Sequence, residues 1–304
     1  MIRIGIDLGG TKIEAIALDD TGQTLLRERV ATPREYRASL DALQTLVTGI
    51  ERRLGSEATV GISMPGAVSL ATGLIKNANS TWLNGQPFVA DLSARLDRPV
   101  RAANDANCFA LSEAIDGAAA GSAVVFGVIL GTGVGGGIVV DGRCLTGRNA
   151  IAGEWGHNAL PRIETEDLPL PPCYCGRSGC IETYLSGPAM GADHRAPGGD
   201  AIDAAGIAAR AAAGDRSAQA TLERYARRLA KALASVVNLL DPDVIVLGGG
   251  VSNIDALYAL VPPLMATQVF SDTVTTPIVK NVHGDSSGVR GAAWLWPQEP
   301  ATKR

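Results

Sequence analysis

The chain contains one glycine-rich stretch twice, as GIDLGGTKIEAIALD at residues 5–19 and as GVILGTGVGGGIVVD at residues 127–141. Without gaps, the copies share glycine, leucine, glycine, isoleucine and aspartate at matching positions. Each copy has the pattern of a β-hairpin with a glycine-rich tip, because two apolar strands flank a Gly/Thr turn. The alternative is that the two stretches are unrelated glycine-rich hairpins. We favour a duplicated lobe, since each copy opens a long stretch of alternating strands and helices.

Apolar periodicity predicts the elements around these hairpins. Apolar residues at spacings of three and four predict helices over 39–54 and 217–240. Short apolar runs predict buried strands at 60–64 and 244–247. A further helix is predicted over 106–117.

The alternation of strands and helices predicts an α/β fold with two lobes around a cleft. The predicted N-terminal lobe covers residues 1–118, and the predicted C-terminal lobe covers residues 119–304. The last predicted helix, about 285–296, is a candidate to pack back on the N-terminal lobe.

The composition is that of a globular protein, with 46% hydrophobic and 19% charged residues among 304. The net charge of −4 and the absence of a basic stripe predict that nucleic acid is not a partner. The longest apolar runs, such as 124–130, are too short to cross a bilayer, and no signal peptide is recognisable. We therefore expect a cytoplasmic protein that does not bind membranes.

The glycine tips predict phosphate binding, because glycine leaves no side chain between the backbone N–H groups and an incoming anion. A lone glycine turn is usually only a tight hairpin, but here two matched tips accompany a third glycine cluster after a strand. The pattern is neither a Walker A loop nor a Rossmann fingerprint. Asp7 is also the predicted Mg²⁺ ligand. The predicted ATP-binding residues are Asp7, Gly9, Gly10, Thr11, Lys12, Gly131, Thr132, Gly133, Gly248, Gly249 and Gly250.

A carboxylate at Asp105 follows a short apolar segment and precedes a predicted helix. At such a junction it can accept a proton from a substrate hydroxyl that attacks phosphorus. The alternative is a helix cap, since Asn104 and Asp105 are both favoured capping residues. The loop at 77–85, rich in amides and hydroxyls, suits a sugar and equally suits an ordinary turn-rich loop.

A compact set of cysteines is the sharpest local signal for a metal. Cys173, Cys175 and Cys180 lie within eight residues, and His157 lies sixteen residues before the first of them. Three thiolates and one imidazole form a closed tetrahedral set for Zn²⁺, which predicts a structural rather than a catalytic ion. A disulfide would leave an odd thiol, and the CxxC spacing of redox sites is absent.

Two glutamates neighbour the predicted zinc ligands. Glu154 stands three residues before His157, and Glu182 stands two residues after Cys180. Because carboxylates hydrogen-bond sugar hydroxyls strongly, a zinc ion that fixes its ligands would pre-organise a sugar site. The alternative is that both glutamates are solvated surface charges.

Taken together, these motifs resemble the ROK family (repressors, open reading frames and kinases) over nearly the whole chain. The resemblance implies an actin-like, ribonuclease H-like ATPase fold, with ATP and Mg²⁺ as phosphoryl source and the 6-hydroxyl of a hexose as acceptor. It also implies a homodimer, Asp105 as general base, and zinc held by His157 and the three cysteines. The positions implied for the sugar pocket are Gly66, Asn79, Asn104, Asp105, Glu154, His157 and Glu182. The motifs are IDLGGTK at 6–12, Asn104–Asp105, LGTGVGGG at 130–137, GEWGH at 153–157, CYCGRSGCIE at 173–182 and VLGGG at 246–250.

The predicted function is a fructokinase that also accepts mannose or glucose. Residues 76–85 and 283–296 are similar to the bacterial manno(fructo)kinase branch of that family. Within enzymes, the alternative is a glucokinase or N-acetylhexosamine kinase. From another class, the alternative is a sugar-responsive transcription factor, which we disfavour because the first strand begins at Ile2 and leaves no room for a preceding helix-turn-helix domain.

Overall fold

The computed structural model describes residues Met1–Pro297. The helices are α1 (Tyr36–Leu54), α2 (Phe88–Leu96), α3 (Asp105–Asp116), α4 (Glu182–Leu185), α5 (Gly187–Arg195), α6 (Ala204–Ala212), α7 (Arg216–Leu240), α8 (Ala256–Ala266) and α9 (Ser287–Trp294). The strands are β1 (Ile2–Leu8), β2 (Lys12–Leu18), β3 (Thr24–Ala31), β4 (Ala58–Met64), β5 (Ala67–Val68), β6 (Ile75–Lys76), β7 (Val100–Asn104), β8 (Val124–Leu130), β9 (Val134–Val140), β10 (Arg143–Cys144), β11 (Val244–Gly248) and β12 (Ile278–Lys280).

Two five-stranded sheets have the same strand order. The first runs β3-β2-β1-β4-β7, and the second runs β10-β9-β8-β11-β12. In the first, β1 pairs antiparallel with β2 and parallel with β4. In the second, β8 pairs parallel with β11. The repeated stretch therefore supplies the same two adjacent strands of each sheet, β1–β2 and β8–β9, as the sequence predicts.

The predicted helices form within a few residues of their expected ends. Helix α1 begins at Tyr36 because the Glu35 carboxylate accepts hydrogen bonds from two backbone N–H groups of the first turn. It ends at Leu54, and the next residue, Gly55, caps it with a left-handed φ of 65° that suits glycine. Helix α7 covers Arg216–Leu240 and buries the apolar face that its spacing predicts.

Helix α9 lies unusually close to the first sheet, because glycines face it. A Cβ on Gly5 of β1 would lie 2.0 Å from the carbonyl oxygen of Val289. A Cβ on Gly61 of β4 would lie 1.9 Å from the carbonyl oxygen of Ala292. Both distances are far below a van der Waals contact, so only glycine permits this packing.

The chain divides into two compact units. Unit 1 consists of Met1–Gly121, Gly137–Ala152 and the C-terminal segment beginning at Asp285, whereas unit 2 consists of Ser122–Gly136 and Gly153–Gly284. Within residues 1–297, no helix is both long enough and apolar enough to cross a membrane.

Candidate functional site

The first glycine tip, between β1 and β2, is held from the side by the chain that follows β3. The backbone N–H of Gly9 donates to the carbonyl of Lys12 at 3.1 Å and closes the turn. Thr32 donates its hydroxyl to the carbonyl of Gly9 at 2.7 Å and its N–H to the carbonyl of Thr11 at 3.0 Å. Gly10, Thr11 and Lys12 themselves are exposed. The tip is thus an anchored, accessible turn, as a phosphate loop requires.

Asp7 is the next-to-last residue of β1, just before this tip, and is mostly surrounded by protein. Ser63 donates its hydroxyl to Asp7 Oδ1 at 2.8 Å. Burial raises the pKa of the Asp7 carboxyl, the hydrogen bond from Ser63 opposes that rise, and the negative charges of Asp105 and Glu14 add to it. Negative charge that accumulates in this way favours a divalent cation, and carboxylate oxygens are ligands that Mg²⁺ accepts.

Asp105 is the first residue of α3 and is exposed. The capping residue of that helix is Asn104, whose side-chain oxygen accepts from the N–H of Ala106 at 2.9 Å. Asp105 Oδ1 also accepts from this N–H, at 2.8 Å. Asn104 is therefore the capping residue of α3, and a cap at Asn104 does not explain why a carboxylate follows at Asp105.

Three parallel strands bring these groups to one edge of the first sheet. β1, β4 and β7 are neighbours in that order, and all run in the same direction. Asp7, Ser63 and Asn104 lie at or next to their carboxyl ends. Ligands of α/β proteins bind beyond the carboxyl ends of parallel strands, which is where Asp105 follows β7.

Gly66 joins this edge through Asn104. The side-chain amide of Asn104 donates to the carbonyl of Gly66 at 3.2 Å. Gly66 has φ 75°, and a Cβ there would lie only 2.4 Å from the carbonyl oxygen of Lys76. The backbone at Gly66 is thus pressed against the start of the polar loop at 77–85.

That polar loop is held closed by its own asparagine. The Asn84 side chain accepts from the N–H of Ala78 at 2.9 Å and donates to the carbonyl of Ala78 at 2.8 Å. Asn79, the predicted sugar ligand, follows directly and is exposed. Gly66, Asn79 and Asn104 therefore belong to one connected stretch of unit 1, although the sugar contacts themselves stay a prediction.

The second glycine tip, between β8 and β9, is closed by a hydrogen bond at 3.0 Å from the N–H of Gly131 to the carbonyl of Gly133. Glu182 accepts the N–H of Val134 at 2.9 Å, and a Cβ on Gly133 would lie 2.6 Å from the same carboxylate oxygen. Thr132 is exposed at its centre. Glu182 is therefore a brace for this tip and is not simply a solvated surface charge.

The third glycine cluster lies beside the second tip. Gly249 has φ 80°, and a Cβ there would lie 2.5 Å from the carbonyl oxygen of Leu130, the residue before that tip. Gly249 and Gly250 are exposed. Bare backbone next to the tip is what the predicted nucleotide contact requires, and the contact itself stays a prediction.

Trp155 fixes the two predicted site residues on either side of it, Glu154 and His157. Its indole N–H donates to the carbonyl of Gly135 at 3.0 Å, and its ring meets Phe126 edge-on with centroids 5.4 Å apart. Trp155 is buried, whereas Glu154 is exposed. The buried ring therefore ties this segment to the strand that follows the second tip.

The four predicted zinc ligands come together, with their ligand atoms within 4.8 Å of one another. The Sγ atoms of Cys175 and Cys180 are 3.6 Å apart, and Cys173 Sγ is 3.6 Å from His157 Nδ1. Ligands at about 2.0–2.3 Å from a tetrahedral Zn²⁺ are separated by about 3.5–3.8 Å, so the spacing fits. A disulfide between Cys175 and Cys180 would require about 2.05 Å.

Local turns explain why these ligands converge. The N–H of Cys173 donates to the carbonyl of Arg177 at 2.8 Å, which closes a turn around Cys175. Gly176 and Gly179 have φ 86° and 73°, values that glycine tolerates best. Hydrogen bonding from the backbone of Arg177 lowers the pKa of the Cys175 thiol, whereas burial raises that of Cys180.

Three residues of the candidate site were not predicted from the sequence. Ser63 binds Asp7, Thr32 anchors the first tip, and the Tyr174 hydroxyl lies 2.9 Å from His157 Nε2. The rings of Tyr174 and His157 also meet edge-on. Tyr174 was detectable as the residue between two cysteines, whereas no local pattern marks Ser63 or Thr32.

Comparison with known proteins finds relatives that match nearly the whole chain. A model described as the ROK family matches residues 3–299. The N-acetyl-D-glucosamine kinase of Salmonella paratyphi B is 42% identical over 296 residues, which cover 96% of this chain and 98% of that protein.

Two solved structures extend the likeness to three dimensions. A ROK hexokinase from Thermus thermophilus has a TM-score of 0.86 at 32% identity and covers 97% of each chain. A ROK family glucokinase from Streptomyces griseus, in complex with glucose and AMPPNP, has a TM-score of 0.75 at 28% identity, with 98% of this chain and 100% of that chain covered. These likenesses confirm the predicted α/β class and the actin-like ATPase fold.

Proposed function

This chain belongs to the ROK family, and on that premise we propose that it is an ATP-dependent hexose kinase. The observation that carries the proposal is Asp105 beyond the carboxyl end of β7, near enough to Asp7 for their charges to interact. A carboxylate in that position can take the proton of a hydroxyl as its oxygen attacks phosphorus.

In the proposed reaction the 6-hydroxyl of the hexose loses its proton to Asp105, its oxygen bonds to the terminal phosphorus of ATP, and ADP leaves. Backbone N–H groups of the glycine tips bind the phosphates, and Thr11 and Lys12 add a hydroxyl and a positive charge. Mg²⁺ held near Asp7 would offset the phosphate charge. The residues proposed to bind the sugar are Gly66, Asn79, Asn104, Asp105, Glu154, His157 and Glu182.

Two acceptors are supported by different observations. Relatives at 42–43% identity are N-acetyl-D-glucosamine kinases, and this favours the N-acetylhexosamine alternative over the fructose prediction. The resemblance of residues 76–85 and 283–296 to manno(fructo)kinases favours fructose. Pocket shape decides among such sugars, because one misplaced hydroxyl or acetamido group leaves buried polar atoms unpaired.

A coupled ADP-release assay with fructose, mannose, glucose and N-acetyl-D-glucosamine tests the proposal. We expect one sugar to exceed the others in kcat/KM, with phosphate on its 6-oxygen by ³¹P NMR. ADP release that no hexose stimulates would contradict the kinase proposal and favour the regulator alternative. A preference for N-acetyl-D-glucosamine over fructose would reject the fructose prediction, and the reverse order would reject the other.

The predicted zinc ion, homodimer and cytoplasmic location are compatible with a hexose kinase. Zinc would be structural, since His157 and the three cysteines form a closed set with no position for a reacting water. A homodimer and a cytoplasmic location stay predictions, to be checked by light scattering and by cell fractionation.

A further inference from the structure

The polar loop at 77–85 contains two buried polar atoms that have no hydrogen-bond partner among residues 1–297. They are the hydroxyl oxygen of Ser80 and the indole nitrogen of Trp82. Ser80 is only 2% exposed. Because a buried, unpaired hydroxyl costs stability, such a group in a folded protein requires an explanation.

The position of Ser80 makes the unpaired hydroxyl more unusual. Ser80 is the N-cap of the short helical turn Thr81–Leu83, a position from which serine ordinarily caps with its side chain. Its side chain makes no such hydrogen bond, although its carbonyl accepts the N–H of Leu83 at 3.0 Å. The hydroxyl is therefore directed elsewhere.

The hydroxyl faces the first glycine tip. A Cβ on Gly10 would lie 3.9 Å from Ser80 Oγ, the nearest atom it would meet. Both residues belong to unit 1, and the Asn84 brace on Ala78 keeps the loop in place. A rigid loop thus holds an unpaired donor beside the turn that we propose for phosphate binding.

We propose that Ser80 is a further phosphate-binding residue, whose hydroxyl donates to an oxygen of the ATP phosphates at the Gly10 turn. The inference rests on the proposed function and deepens it. Phosphate oxygens are charged acceptors that strengthen the hydrogen bond, and the absence of a side chain on Gly10 leaves room for one. The free enzyme then carries the cost of the unpaired hydroxyl, and the bound nucleotide relieves it.

The decisive variant is Ser80→Ala, compared with wild type for binding of a non-hydrolysable ATP analogue and for steady-state kinetics. A lost hydrogen bond to a charged group corresponds to about a tenfold to hundredfold loss. We expect that loss in analogue affinity and in kcat/KM for ATP, with the KM for hexose within about twofold. The melting temperature should not fall, because the variant removes an unsatisfied hydroxyl.

A matched control is Ser112→Ala. Ser112 is fully buried and its hydroxyl also has no partner within the described residues, but it is not at a glycine tip. We expect wild-type kinetics and analogue affinity from this variant.

Ser80→Ala with wild-type affinity and kinetics would overturn the inference. So would a loss confined to the KM for hexose, which would assign the hydroxyl to the sugar, or a loss matched by a lower melting temperature. The failure of the kinase proposal is separable: if wild type binds the analogue but phosphorylates no hexose, the comparison of affinities still decides the role of Ser80. If wild type does not bind the analogue at all, the inference is wrong.

Discussion

The two glycine tips occupy the same place in two sheets of equal strand order, yet they carry different chemistry. In the aligned repeat, Asp7 of the first copy stands opposite Ile129 of the second, and Lys12 stands opposite Val134. Within the repeated stretch, the first copy thus has charged residues at two positions where the second copy has apolar ones. The glycine-rich backbone that we propose for phosphate binding occurs in both copies, whereas Asp7, the proposed cation ligand, and Lys12 occur only in the first.

The tips also differ in what holds them. Thr32, close in sequence and next to β3, anchors the first tip through the carbonyl of Gly9. Glu182, 48 residues beyond Val134, anchors the second through a backbone N–H. Because Glu182 follows Cys180 by two residues, the second tip is mechanically linked to the proposed zinc site. One tip is thus held by the chain next to its own sheet, and the other by a distant loop that contains the proposed zinc ligands.

The largest expected effect tests whether catalysis resides in unit 1. Asp105→Asn should lower kcat by about 10²- to 10⁴-fold, because the amide cannot accept the hydroxyl proton. Sugar affinity, measured by calorimetry, should stay near wild type. Asp97→Asn is a matched control, since Asp97 ends α2 at φ 52°, a conformation that asparagine tolerates. Near wild-type turnover by Asp105→Asn would show that the base is another group.

The next effect tests whether the second tip depends on the proposed zinc site. Elemental analysis should find about one zinc per wild-type chain, as a closed four-ligand set implies. Cys180→Ser should lose the metal, lower the melting temperature and raise the KM for ATP, because Glu182 and the second tip would lose their fixed position. Cys144→Ser, which changes a thiol outside the set, should retain both metal and activity. Metal-free wild type of full activity would contradict the link.

A smaller effect tests the close packing of α9 on the first sheet. Gly5→Ala should destabilise the protein by about 1–3 kcal/mol, because its Cβ would overlap the backbone of α9 at Val289. Gly49→Ala is the control, since a Cβ in that part of α1 meets nothing within 4 Å. Replacing that helical glycine should raise stability by about 0.5–1 kcal/mol. Denaturant unfolding measures both, and an unaffected Gly5→Ala would reject the close packing of α9.

The smallest effect compares how Thr32 and Glu182, the anchors of the two tips, contribute to the KM for ATP. Thr32→Val should raise the KM for ATP about two- to tenfold, since it removes one hydrogen bond from the first tip. Glu182→Ala should act similarly through the second tip, whereas Glu182→Gln keeps an acceptor for the N–H of Val134. If Glu182→Gln impaired the KM for ATP as much as Glu182→Ala, the carboxylate charge, not the brace, would be what matters.

Local patterns predicted most of the fold and much of the candidate site. The hairpin tips, the extents of α1 and α7 and the convergence of the four zinc ligands all follow from short-range spacing, which controls backbone geometry directly. The sugar loop was recognisable only by composition, and its anchor at Gly66 emerged from tertiary contact. Acceptor identity depends on pocket shape, which spacing does not encode.

The sequence by itself determined a duplicated α/β architecture, two glycine tips, a closed Cys/His set and membership of a family. Only the tertiary structure decided that Thr32 and Glu182 hold the tips, that Ser63 binds Asp7, and that Ser80 turns an unpaired hydroxyl toward Gly10. Turns and helices arise from neighbours along the chain, whereas these contacts join residues brought together by packing, which no local pattern specifies.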